Sequence, residues 1–94
     1  KELAEAQRYP PFYFYDLGMR ALRAQDFADA VRQFKKDLAR PPYDSQSHYG
    51  LAMAAMHLGD VSQARKELQV AIRNATTDDQ RALYATKLRQ LKPS

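Results

Sequence analysis

No cysteine occurs in the chain, which excludes a disulfide framework, a thiol nucleophile and a cysteine-type zinc site. That absence leaves the redox compartment open, with the cytoplasm favoured over the periplasm. The longest apolar stretches run a few residues, far short of the roughly 20 that a membrane helix needs, so a soluble protein is expected. There is no glycine-rich phosphate loop and no alternating strand pattern. Near Lys1 nothing combines a basic region, an apolar run and a small-residue cleavage site. A piece excised from a longer protein is the expectation.

What is present is globular. Apolar residues make up 45% of the chain and charged residues 28%, a balance that argues against disorder. At 94 residues, folding buries only about 60–65% of the surface of the unfolded chain, and the expected stability is modest. One domain over 1–94 is expected.

An internal repeat organises the rest. Shifting the sequence by 34 residues (51 − 17 = 34) aligns Tyr15 with Tyr49, Leu17 with Leu51, Met19 with Met53, Ala21 with Ala55, Asp26 with Asp60 and Ala30 with Ala64. The same register pairs Phe27 with Val61, Phe34 with Leu68 and Leu38 with Ile72, keeping apolar character where identity is lost.

Each unit reads as two helices joined by a tight turn. Pro10 and Pro11 precede a helix-periodic run from Phe12 to Ala24; a second run from Phe27 to Ala39 follows the N-cap candidate Asp26 and stops at Pro41 and Pro42. Asp44 or Ser45 can cap a third helix ending near Leu58, after which Gly59 supplies a left-handed turn. Asp60 with Gln63, and Thr77 with Gln80, have capping-box spacing and open helices reaching about Asn74 and about residue 91. Arg40, Arg73 and Lys92 fall at helix C-termini, where cations complement the dipole.

A helix, turn, helix unit of this length resembles the tetratricopeptide repeat. The first unit supplies Phe14, Leu17, Gly18, Ala30, Phe34 and Pro42 at the family's characteristic places; the second supplies Leu51, Ala52, Gly59, Ala64, Leu68 and Ala71. Small residues are required where paired helices cross closely, and Phe34 and Leu68 plug the gap to the next helix. Asp37 replaces an expected alanine, His48 a bulky aromatic and Thr76 a closing proline. The resemblance implies an all-α fold, a right-handed superhelix of antiparallel hairpins with about five helices. Repeats at about 11–44 and 45–78 would be followed by a capping helix at about 79–92, in which Leu83, Leu88 and Leu91 with Ala82 and Tyr84 give apolar positions. Residues 1 to 8 read equally as the tail of a preceding helix or as a frayed end.

By the same resemblance, function resides in a groove formed by the first helix of each unit. Its lining is expected to include Phe12, Tyr15, Met19, Leu22 and Arg23, then Gln46, Tyr49, Met53, Met56 and His57, with Leu83 and Lys87 from the end helix. Aromatic and thioether groups in such a strip suit adaptable, apolar recognition of a peptide or helix, although any of them could instead pack against the neighbouring hairpin. The expected role is a protein-interaction module with no cofactor. Some family members hold acidic chaperone tails with a lysine, asparagine and arginine clamp; here those places carry Tyr15, Met19, Gly50, Gln80 and Tyr84, so that ligand is not expected.

Other functions find little support. His48 and His57, nine residues apart, fall on different sides of one helix and cannot readily share a metal; His48 reads as a core or interface histidine, and Asp78 with Asp79 as dipole-complementing residues. No enzyme is expected. Net charge is +4, and Arg32, Lys35, Lys36, Arg40, Arg65, Lys66 and Arg73 give the second helices a basic face, but Asp29, Asp37 and Glu67 are interspersed with them. Nucleic-acid binding is the weaker alternative. Pairing of two copies into a homodimer is the other.

Overall fold

The computed structural model describes residues 9–10, 12–40 and 45–91. Among these are five α-helices and no strand: α1 (Tyr13–Arg23), α2 (Phe27–Leu38), α3 (Gln46–His57), α4 (Val61–Arg73) and α5 (Asp78–Gln90). The all-α expectation holds, with most ends at or within one residue of the expected limits. The tail at 1–8, Pro11, the Pro41–Pro42 stop, Asp44 and Lys92 lie outside the described residues.

Local chemistry sets most boundaries. Asp26, Asp60 and Thr77 each accept a hydrogen bond from the backbone N–H three residues on, capping α2, α4 and α5. The reciprocal half of each capping box is not made. The Gln63 amide turns forward to Glu67 Oε2 at 2.6 Å, and the Gln80 carbonyl accepts from Thr76 N–H at 3.0 Å, one residue before the cap. At α3 the N-cap is Ser45, whose side chain makes no capping bond. Phe12 precedes α1 with φ of 65°, a left-handed conformation unusual for a bulky residue.

Both hairpin turns are Schellman motifs. Asp26 N–H reaches Ala21 O and Gln25 N–H reaches Leu22 O; Asp60 N–H reaches Ala55 O and Gly59 N–H reaches Met56 O. Gly59 sits at φ 84°, as its expected turn role requires, and Gln25 takes the same conformation at φ 63°.

α1 pairs with α2 and α3 with α4; α3 also packs on α2, α5 on α4, and α1 lies beside α3. The core follows the repeat. In the first hairpin Phe34 is fully buried amid Ala21, Ala30, Leu51 and Ala54; in the second Leu68 is fully buried with Ala52, Ala71 and Tyr84. Phe34 lies between two glycines: a Cβ added to Gly18 would come within 2.6 Å of its ring, and one on Gly50 would overlap the ring as well. Such contact is possible only where neither helix carries a side chain.

Asp37, the substitution for the expected alanine, is buried and accepts a 2.7 Å hydrogen bond from the buried Ser47 hydroxyl on α3. The polar group is thereby matched across the α2–α3 contact. The fifth helix contributes unevenly. Tyr84 is buried and Leu88 and Leu91 pack against the second core, whereas Ala82 and Leu83 are exposed, Leu83 at 45%.

Candidate functional site: the face of the first helices

The 34-residue register aligns Tyr15 with Tyr49 and Leu83, and Met19 with Met53 and Lys87, on α1, α3 and α5. Tyr15, Met19 and Leu22 are half-buried against the first core, and Tyr49 and Met53 against the second. Met56 and Lys87 are half-buried too, while Arg23, Gln46 and His57 are exposed. Phe12, just before α1, is 40% exposed, and Leu83 on α5 is 45% exposed.

Two contacts tie neighbouring helices across this face. The Tyr15 hydroxyl donates to Gln46 Oε1 at 3.5 Å, joining α1 to α3. The Tyr49 ring stacks on Tyr84 of α5, centroids 4.7 Å apart, and burial pushes the Tyr49 phenol above its ordinary pKa of 10.0. Tyr49 is therefore part wall and part surface. Truncating a side chain so placed would leave a cavity beside Tyr84.

His57 is engaged elsewhere: its ring lies flat on Phe27, the first residue of α2, at 4.3 Å and 3°. His48, half-buried, lies with its Nδ1 2.8 Å from Glu67 Oε1 on α4, within the second hairpin. The two histidines serve separate contacts, and among the described residues no group of three or more histidines or carboxylates is placed to hold a metal.

The basic residues of α2 do not form a bare surface. Arg32 pairs with Asp29, whose carboxyl it holds below the ordinary range; Lys36 lies 5.6 Å over the Phe14 ring, and Arg40 lies over both Phe14 and Tyr9. Tyr9, Tyr13 and Phe14 meet one another at 4.9 to 5.1 Å. No helix among the described residues is long and apolar enough to cross a membrane.

Sequence reasoning missed Ser47 as the partner of Asp37, Glu67 as the partner of His48, and Tyr84 as the ring beneath Tyr49. The first two pairs join separate helices and carry no local signal. Tyr84 could have been found, because it shares a register position with Gly50 (84 − 50 = 34), whose missing side chain admits Phe34.

With helix pairs, the buried knob of each hairpin and the repeated face in view, the family follows. Residues 15–79 match the model of the tetratricopeptide repeat. The chain belongs to the tetratricopeptide repeat family. Neither the curated proteins nor the solved structures gave a match. Tetratricopeptide repeats generally mediate protein–protein interactions and are typically non-catalytic.

Proposed function

We propose that the chain binds a peptide or helix of a partner protein in the groove lined by α1, α3 and α5. The repeats at about 11–44 and 45–78 supply two sides and the closing helix the third. One observation carries this reading: the aromatic and thioether row of Tyr15, Met19, Tyr49 and Met53 continues in register onto Leu83, which stays 45% exposed although its neighbours Tyr84 and Leu88 pack on the second core. An apolar side chain kept in solvent at a register position is spare for the fold and available to a partner. No catalytic group, metal or cofactor enters the proposal.

The test separates binding from folding. Leu83→Glu and Phe12→Ser alter exposed positions, so both variants should melt within a few degrees of the parent, since surface changes cost about 0.5 kcal/mol or less. Bait carrying either substitution should lose the partners retained by the parent in a pull-down. Unchanged retention by both variants would place the interaction on another face, and a mass that rises with concentration in light scattering would turn the reading towards self-association.

A further inference from the structure

We infer that the outward face of α2 and α4 binds the phosphate backbone of a nucleic-acid duplex without reading its sequence. The positions exposed at 28, 32, 35 and 39 on α2 and its C-cap, and at 62, 66, 69 and 73 on α4, share one register (62 − 28 = 34). Their spacing of i, i+4, i+7 and i+11 is that of a single stripe along each helix. The stripes carry Arg32, Lys35, Lys66 and Arg73 with Ser62 and Gln69, and are otherwise alanine. Lys36 and Arg40, also exposed, lie over the Phe14 ring, which bears no net charge and leaves theirs in place. The carboxylates interspersed with these cations in the sequence are turned inward. Asp37 is buried against Ser47, Glu67 is bound to His48 and Gln63, and Asp29 is joined to Arg32. Among the described residues of α2 and α4, the exposed positions hold no carboxylate. Exposed acids lie outside these helices: Asp16 on α1, the N-caps Asp26 and Asp60, and Asp78 and Asp79 at the start of α5, where Asp78 pairs with Arg81. Lys35, Lys36 and Arg73 stand in the last turns, at the opposite ends of α2 and α4 from the caps.

The chemistry of this face selects its partner. Every polar side chain exposed on it can donate a hydrogen bond and its cations can only donate, which suits the acceptor oxygens of phosphate. A duplex also presents the densest charge, one per about 1.7 Å of axis, against at most one per about 3.3 Å along an extended acidic polypeptide. A lipid surface is matched less well: the exposed large apolar residues are Phe12, Leu58 and Leu83, none of them on α2 or α4, so this face has nothing to bury among acyl chains. Single strands are held by rings on which bases stack, and neither stripe carries an aromatic residue. With donors and no stacking platform, the contact is to the backbone alone.

The experiment titrates the full chain into a fluorescently labelled DNA duplex of arbitrary sequence and follows its anisotropy. Neutralising about four phosphates should make affinity fall about 150-fold between about 50 and 200 mM salt, a log–log slope of about −3.6. A second duplex of unrelated sequence should bind equally. Lys35→Gln combined with Lys66→Gln changes exposed side chains only, so the variant should melt with the parent while its slope falls by about 2. Competition by polyglutamate as effective as by unlabelled duplex would overturn the phosphate assignment, and tighter binding to the single strand would overturn the duplex. Retention on phosphatidylserine vesicles without duplex binding would move the face to a membrane. Binding unchanged in the double variant, or no binding at about 50 mM salt, where such contacts are strongest, would overturn the inference outright.

Discussion

In the first hairpin Phe34 fills the space between Gly18 and Gly50; at the equivalent place in the second, Leu68 sits with Ala52 and Tyr84. All three positions are related by the same 34-residue shift, so a large plug between two bare backbones has been exchanged for a smaller plug beside a methyl group and an aromatic ring. Close packing is kept while the residues that achieve it change. The exchange also bears on function. In the first hairpin the aromatic ring is wholly interior, whereas in the second it belongs to the end helix and supports Tyr49 from below, at the centre of the proposed groove.

The largest test of this comparison removes the downstream wall. Cutting away residues 79 to 94 takes Tyr84, Leu88 and Leu91 from the second core and uncovers Leu68 and Ala71. Burying side chains of that size contributes about 1.5–3 kcal/mol each, and a small domain has only about 5–15 kcal/mol in all. The truncated chain should lose its cooperative thermal transition; a melt within a few degrees of the parent would show that the second hairpin holds its plug unaided.

Next in size comes the exchange itself. Phe34→Ala should cost about 3–5 kcal/mol through the cavity it leaves. Gly50→Ala should cost about 1–3 kcal/mol, because the collision with the ring outweighs a gain in helix propensity of at most about 1 kcal/mol. Combining Gly50→Ala with Phe34→Leu imitates the second hairpin and should cost at least about 1 kcal/mol less than the two single changes added together. Additivity in urea unfolding would mean that plug and wall do not sense each other.

A smaller test concerns polarity. Asp37 and Ser47 are buried together where the second hairpin has Ala71 and, one shift along from Ser47, Arg81. Ser47→Ala should cost about 1–3 kcal/mol by depriving a buried carboxylate of a donor. Adding Asp37→Ala, the residue type present at 71, should return part of that loss. A double variant less stable than Ser47→Ala alone would show that Asp37 contributes through its other surroundings.

These cases also mark how far the sequence could be read. The helices, the turns and the caps at Asp26, Asp60 and Thr77 rest on contacts within a few residues, and the common register alone places the plugs at 34 and 68. The Asp37–Ser47 and His48–Glu67 pairs join helices whose relative rotation no local pattern specifies. The groove was legible as a set of positions, but whether Tyr49 is wall or surface depends on the ring of Tyr84. The flat contact of His57 with Phe27 likewise depends on how two hairpins meet. The apolar pattern starts a helix at Phe12, whereas Phe12 takes a left-handed backbone just before α1, which that pattern does not encode.

The smallest expected effect comes from the two turns, and it isolates the backbone. Gln25 and Gly59 hold the same place in matching Schellman motifs, at φ of 63° and 84°. A residue with a Cβ is strained there by roughly 1–2 kcal/mol, whereas glycine is not. A Cβ added to Gly59 would meet nothing within 4 Å, so Gly59→Ala changes conformational preference without a clash. It should cost about 1 kcal/mol. Gln25→Gly relieves the equivalent strain but also loosens the unfolded chain, which offsets about 0.4–1 kcal/mol of the gain. A net stabilisation of about 0.5 kcal/mol remains, worth roughly 2–4 °C in Tm for a domain of this size. The two substitutions should therefore move Tm in opposite directions, the loss at residue 59 exceeding the gain at residue 25. If Gln25→Gly lowers Tm instead, the glutamine side chain stabilises the first turn by more than its backbone strain, and the two turns are alike in shape but not in what holds them.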